Sequence, residues 1–223
     1  MPGLLPIVTS ALTGFISGLL LAIPVGPVNL TIMNEGAQRG FRPAAMIACG
    51  ALLMETIYCG LAFTSFASVF NHDFIKEAMD LGSFVFMLGL GLWFLKSKTV
   101  RNPTKIEERL EKKFHPTSAF MTGFVRVMGN LGVPASWLFF AVYFDSHHWV
   151  EPTPAGKAAC VCGVTTATGL WFFGLSYAAS LGHKKFSDKT LLRMERGSGI
   201  GLLVLAFAHG CQIAWQMHNH YHS

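Results

Sequence analysis

Charge is what this sequence has least of. Lys, Arg, Asp and Glu make up 13% of its 223 residues, about half the ~25% carried by soluble domains. Catalytic signatures are missing too: there is no HExxH, no GxSxG and no pair of intramembrane aspartates, which argues against an enzyme. The five cysteines, Cys49, Cys59, Cys160, Cys162 and Cys211, all fall in apolar segments. That excludes a disulfide framework and suggests buried thiols. Met1 to Ser10 contains no lysine or arginine and no small-residue cleavage site, so it reads as the start of a retained span rather than a removable leader. Low-complexity tracts and short tandem repeats are absent. Nothing in the composition calls for a cofactor, a resident metal or a nucleic acid.

What is there is hydrophobic: 52% of the residues, with 19 phenylalanines and 23 glycines. Glycine at this level suits membrane helices, where it lets backbones approach. Apolar segments lie at about residues 8–35, 43–70, 74–96, 118–144, 155–181 and 197–217, each near or above the roughly 20 residues a helix needs to span a bilayer. Of the 17 basic residues, 14 follow the first, third and fifth segments, among them Arg39, Lys105 and Lys189. Lys76 and Lys157 lie on the other side, and Arg126 lies within a segment. The net charge of +5 therefore reports orientation rather than an acidic partner. Positive-inside sorting places both termini outside and the odd-to-even loops in the cytoplasm. In the third loop, Thr104-Lys105-Ile106-Glu107 has the form of a capping box. Ile106, Leu110 and Phe114 follow at four-residue spacing, which predicts a short amphipathic helix at the lipid surface.

Two interruptions stand inside these segments. Pro24-Val25-Gly26-Pro27 breaks the first, and Asn130-Leu131-Gly132-Val133-Pro134 breaks the fourth. A proline removes a backbone donor and clashes with the preceding turn. In lipid such irregular backbone survives only within protein or along a cavity. Both breaks lie about 16 residues into their segments, which run in opposite directions under the charge rule. Matched breaks of opposite direction are a signature of inverted repeats with a binding site between them; two unrelated proline kinks are the plainer alternative. The expected fold is all-α integral membrane, with six transmembrane helices as two inverted three-helix repeats and broken first and fourth helices. It forms one domain over 1–223, with repeat one at about 1–96, a cytoplasmic linker at 97–117 and repeat two at 118–217.

Pro27 suits the first position of a new helix. The amides of Val28, Asn29 and Leu30 would then face the membrane centre and attract a carboxylate, and the Asn29 side chain could add a hydrogen bond. A capped structural kink is the competing reading. Glu55 lies roughly 18 Å into the second segment at 1.5 Å per residue. A carboxylate there is costly unless it is paired, neutral or facing water. It could hold a substrate ammonium, carry a coupling proton, or sit in a fixed pair with Arg126, which itself could snorkel. The substrate-binding set read from the sequence is Pro24, Gly26, Pro27, Val28, Asn29, Glu55, Asn130, Gly132 and Pro134, with Glu55 and Arg126 as the proton-coupling or ion-paired groups. Glu35, Asp80 and Asp145 read as solvated. His209 reads as bonded within the bundle, and Thr165, Thr166 and Thr168 as mild lining. Gly14-x-x-x-Gly18 and Gly197-x-x-x-Gly201 permit close helix contact and are weak candidates for a dimer face.

These residues also resemble a known family. Ile23 to Leu30, Arg39-Gly40-Phe41-Arg42, Gly50 and Glu55 are similar to the Pro-Gly-Pro-Asn element, arginine turn and acid-bearing second helix of the lysine-exporter family of amino-acid efflux proteins. The resemblance continues through Gly82 to Lys96, Gly123 to Phe140 and Gly197 to Gly210. It departs in having Glu55 where aspartate is usual, Val133-Pro134 in place of Asn-Pro, and Pro43 in place of a second glycine. It implies six membrane helices, homodimers, a bacterial-type inner-membrane location and export of amino acids driven by ion gradients. The expected function is an exporter of amino acids or related small zwitterions, coupled to a proton gradient by alternating access. The alternative is a divalent or heavy-metal exporter of the same superfamily, using Cys160, Cys162 and the tail histidines as soft and borderline ligands. Two thiols two residues apart on a helix point about 200° apart, which suits one ion poorly.

Overall fold

The computed structural model describes residues 3–24, 26–65, 73–97, 105–114, 118–181 and 188–221. Regular structure among them is entirely α-helical: α1 Leu4–Ala22, α2 Pro27–Arg39, α3 Phe41–Ser65, α4 Asp73–Lys96, α5 Lys105–Phe114, α6 Ala119–Gly129, α7 Gly132–Ser146, α8 Pro154–Ser180 and α9 Asp188–Tyr221. Helix ends follow local chemistry. Thr153 accepts from the Gly156 amide at 3.2 Å, with Pro154 at the first position of α8, and Ser118 accepts from Met121 at 3.3 Å to start α6; both satisfy amides that the helix cannot. Gly40 ends α2 at φ 88, in the left-handed region where a side chain is strained.

Among the described residues three helices, α1, α3 and α8, are long and apolar enough to cross a membrane, and α6 with α7, bent by 60° at their break, are long and apolar enough together to count as a fourth candidate span. The apolar stretch of α4 is shorter, Leu81–Lys96. Large apolar side chains cover the outside, from Leu4 and Leu5 on α1 to Val204 and Phe207 on α9, the last 75% exposed. Such a surface suits lipid and not water.

Glycines bring the helices together. A Cβ at Gly14 would collide with the Cys160 carbonyl, and one at Gly163 with the Ala11 carbonyl, so α1 and α8 touch backbone to backbone. The same arrangement joins α6 to α3, where Gly123 meets the Ile47 carbonyl and Gly50 the Phe120 carbonyl. In the α4–α9 contact, Gly91 and Gly199 each face the other's carbonyl. Gly14 and Gly18 are thus spent on α8 within the chain, not on a dimer face. Two apolar clusters fill the interior. One gathers Ile32, Ile47 and Val127, the other Met87, Trp137 and Phe140.

The first break differs from expectation. The apolar run starts its helix at Leu4 rather than residue 8, so α1 has 19 residues, roughly 28 Å at 1.5 Å each. The Pro24–Pro27 break therefore follows a helix that could span by itself, whereas the second break follows 11 residues of α6. The amphipathic helix in the third loop is present as α5, with Ile106 and Phe114 exposed. Thr104 of its expected cap lies outside the described residues, as do Val25, His72 and His222 and the side chains of Asp80, His218 and His220.

Candidate functional site

α1 stops because Pro24 cannot extend it: Ile23 N–H still reaches Leu19 O at 3.0 Å, and Gly26 N–H folds back onto Pro24 O at 3.0 Å. α2 then starts with Pro27 at its first position after Gly26. Asn29 ties the two pieces together. Its Nδ2 donates to Ala22 O and to Pro24 O, 2.9 Å each. Both amide hydrogens are spent on the broken segment, so the side chain cannot assist a substrate carboxylate as expected from the sequence. The Leu30 amide is also used, donating to Gly26 O at 3.1 Å, which leaves Val28 and Asn29 as the amides of the first turn that face the break.

The second break is built differently. Asn130 ends α6, and its Oδ1 accepts from Gly132 N–H at 3.1 Å in an Asx-type turn. Val133 N–H returns to Asn130 O at 3.1 Å. Pro134 lies in the first turn of α7 rather than at the break. Tyr58 on α3 donates to Met128 O at 3.0 Å, satisfying a carbonyl near the end of α6.

Two adjacent cavities, of about 180 and about 70 Å³, join the breaks. Pro24, Gly26, Glu55 and Asn130 line both. Pro27, Val28 and Asn29 line the smaller, and Gly132 the larger. Eight of the nine sequence-chosen binding residues therefore converge, and only Pro134 stays out of both walls. The larger cavity is below the ~300 Å³ typical of drug-sized ligand pockets, so it fits a small metabolite. A Cβ at Gly26 would meet nothing within 4 Å, which leaves the space between the breaks open.

Glu55 is buried, 6% exposed. Trp137, fully buried, lines the larger cavity with it. No ion pair joins Glu55 to Arg126. The guanidinium instead donates to Thr31 Oγ1 and, at 3.4 Å, to Pro27 O, so α6 is clamped to the first turn of α2. The fixed Glu55–Arg126 pair that the sequence allows is therefore not formed: the start of α2 takes the guanidinium. Glu35 pairs with Arg39 at 2.9 Å on α2. Thr165 bonds back to Val161 O at 2.8 Å and across to Thr56 at 3.1 Å, and Thr166 bonds back to Cys162 O.

Sequence reasoning missed three contributors. Glu195, 2% exposed, lines the larger cavity; it sits between Arg193 and Arg196 and reads as loop, yet α9 starts seven residues before it. Trp137 and Tyr58 had no signal beyond their apolar surroundings. Near the far end of α7, His209 Nδ1 lies 3.1 Å from His147 Nε2 and its Nε2 lies 3.1 Å from Ser83 Oγ, with His147 Nδ1 2.8 Å from Tyr143 O. This puts His209 within a bundle network, as expected. Cys160 is buried and Cys162 exposed, so the two thiols face different ways. Among the described residues no three His, Cys, Asp or Glu side chains gather as a metal site.

Comparison with known proteins bears on this geometry. The family model described as LysE type translocator matches residues 19–212. The chain is similar to "Putative amino acid efflux protein YcgF" of Bacillus subtilis (strain 168), with 26% identity over 204 residues, 90% of this chain and 95% of that protein. It is similar also to "Arginine exporter protein ArgO" of Salmonella enteritidis PT4 (strain P125109), with 25% identity over 173 residues, 75% of this chain and 76% of that protein. No solved structure matches the chain.

Proposed function

We propose, since this chain belongs to the LysE type translocator family, that it is a multi-pass inner-membrane exporter of amino acids or related small zwitterions. The observation that carries this reading is the convergence of both helix breaks and Glu55 on the same pair of cavities. A solute carboxylate sits at the Val28 and Asn29 amides, where the positive end of α2 favours an anion. Glu55 carries the coupling proton, and the two halves rock about the cavities in alternating access.

In this reading the chain is a single domain of six spans, with an inverted repeat on each side of a cytoplasmic linker at 97–117 and both termini outside. The packing supports the repeat. Exchanging the halves turns the α1–α8 contact into α6–α3 and leaves α4–α9 and α3–α8 in place. The glycine contacts obey the same exchange: Gly14 with Gly123, Gly163 with Gly50, Gly91 with Gly199. A homodimer in the membrane completes the assembly.

The experiment is efflux from proteoliposomes loaded in turn with labelled amino acids, with and without an imposed pH gradient. We expect gradient-dependent efflux of at least one amino acid and its loss in Glu55→Gln. Gradient-dependent efflux in that variant equal to wild type would remove Glu55 from coupling. Metal tolerance gained by expressing cells, without amino-acid efflux, would overturn the reading in favour of a metal exporter.

A further inference from the structure

The two carbonyls that Asn29 holds fix the orientation of its amide. Turned over, the side chain would set an oxygen against two oxygens at 2.9 Å, so the nitrogen occupies that place and Oδ1 faces the other way. That Oδ1 is buried, in a residue only 3% exposed, and accepts no hydrogen bond. A buried acceptor left unmade is costly, and its retention in a residue that lines a cavity calls for a ligand that donates a hydrogen bond or carries positive charge.

The surroundings say what kind. Asn29 shares the smaller cavity with Glu55, and Leu21 and Ala22, the last turn of α1, line the same wall. The carbonyl end of a helix carries the negative pole of its dipole. The residues that carry a side-chain amide oxygen, a carboxylate and the carboxyl end of α1 thus line one small cavity. Glu195 shares only the larger cavity with Glu55; in the smaller one Glu55 is the single acid among the lining residues, and one negative charge suits one positive charge.

We propose that Asn29 Oδ1 and Glu55 form a subsite for a small monovalent cation in the α1–α2 break. It rests on the export reading for one of its two sources, the ammonium group of the cargo; the other is a dehydrated alkali ion. In either case a proton on Glu55 removes the charge the cation needs, so proton and cation exclude each other at this point. That exclusion is the exchange an exporter coupled to proton entry requires.

The test uses the full chain, purified in detergent and titrated with methylammonium chloride or sodium chloride against choline chloride at constant ionic strength, read by tryptophan fluorescence and thermal shift. We expect a saturable response to methylammonium, weakened at least about tenfold in Glu55→Gln and in Asn29→Leu, as for loss of a hydrogen bond to a charged group. Saturation by sodium and not methylammonium identifies an alkali ion as the occupant. Asn29→Leu also loses the ties to Ala22 and Pro24 and can fail to fold; Glu55→Gln, which keeps its shape, then carries the test. Responses to both salts no larger than to choline, or wild-type affinity in Glu55→Gln, overturn the inference. Amino-acid efflux from cells is measured alongside: export without cation saturation sinks this subsite alone, and cation saturation without export sinks the export reading.

Discussion

Alanine at Gly14, Gly163, Gly50 and Gly123 gives a sharp test of how this bundle is held. In each case the new methyl meets a backbone carbonyl of the neighbouring helix at a distance no packed pair of atoms tolerates. A carbonyl in a helix cannot swing aside as a side-chain tip can, so the two helices must separate. Overpacking of this kind costs about 1–3 kcal/mol. Against it stands the gain from replacing glycine in a helix, about 0.5–1 kcal/mol. The collision wins, and a net loss of about 1–2 kcal/mol follows, or roughly 2–8 °C in Tm for a chain of this size. Gly60 and Gly174 provide the control, because a Cβ there meets nothing within 4 Å; alanine at either should raise Tm slightly. Thermal unfolding in detergent, followed by size exclusion, reads all six variants. Gly14→Ala with Gly163→Ala should cost less than their sum, since the first separates the helices that the second also needs apart, while Gly14→Ala with Gly123→Ala should be near additive. Should all six variants shift Tm in the same direction by the same amount, close backbone contact is not what holds these helix pairs.

Other expectations follow from single contacts. A Cβ at Gly26 meets nothing within 4 Å, so Gly26→Leu should enter the space between the breaks, fold with near wild-type Tm and lose efflux in proteoliposomes. Tyr58→Phe removes the hydrogen bond to Met128 O and leaves that carbonyl short of a partner, at a cost of about 1–3 kcal/mol, measurable by thermal unfolding. His209→Leu takes one hydrogen bond from His147 and one from Ser83; about 1–3 kcal/mol of lost stability with retained efflux would mark the network as structural.

Pattern and composition were enough to reveal an apolar helical chain with two proline-marked interruptions and one acid deep in a span. Those are local properties. A proline breaks a helix wherever it stands, Pro27 suits a helix start by its fixed φ, and scarce charge leaves lipid as the natural solvent. The sequence thereby determined which residues were irregular, and eight of the nine it singled out do line the cavities. It could not determine which groups face one another. Arg126 is the one basic residue the sequence places within a segment and so reads as a partner for Glu55, but the start of α2 takes the guanidinium. Asn29 reads as a spare donor until the carbonyls of Ala22 and Pro24 consume both its hydrogens and turn it into an acceptor. Glu195 reads as part of a basic loop until α9, beginning early, carries it into the wall beside Phe94 and Trp137. Periodicity records the position of a side chain on its own helix, whereas hydrogen-bond partners and cavity walls come from other helices, and only their packing decides them.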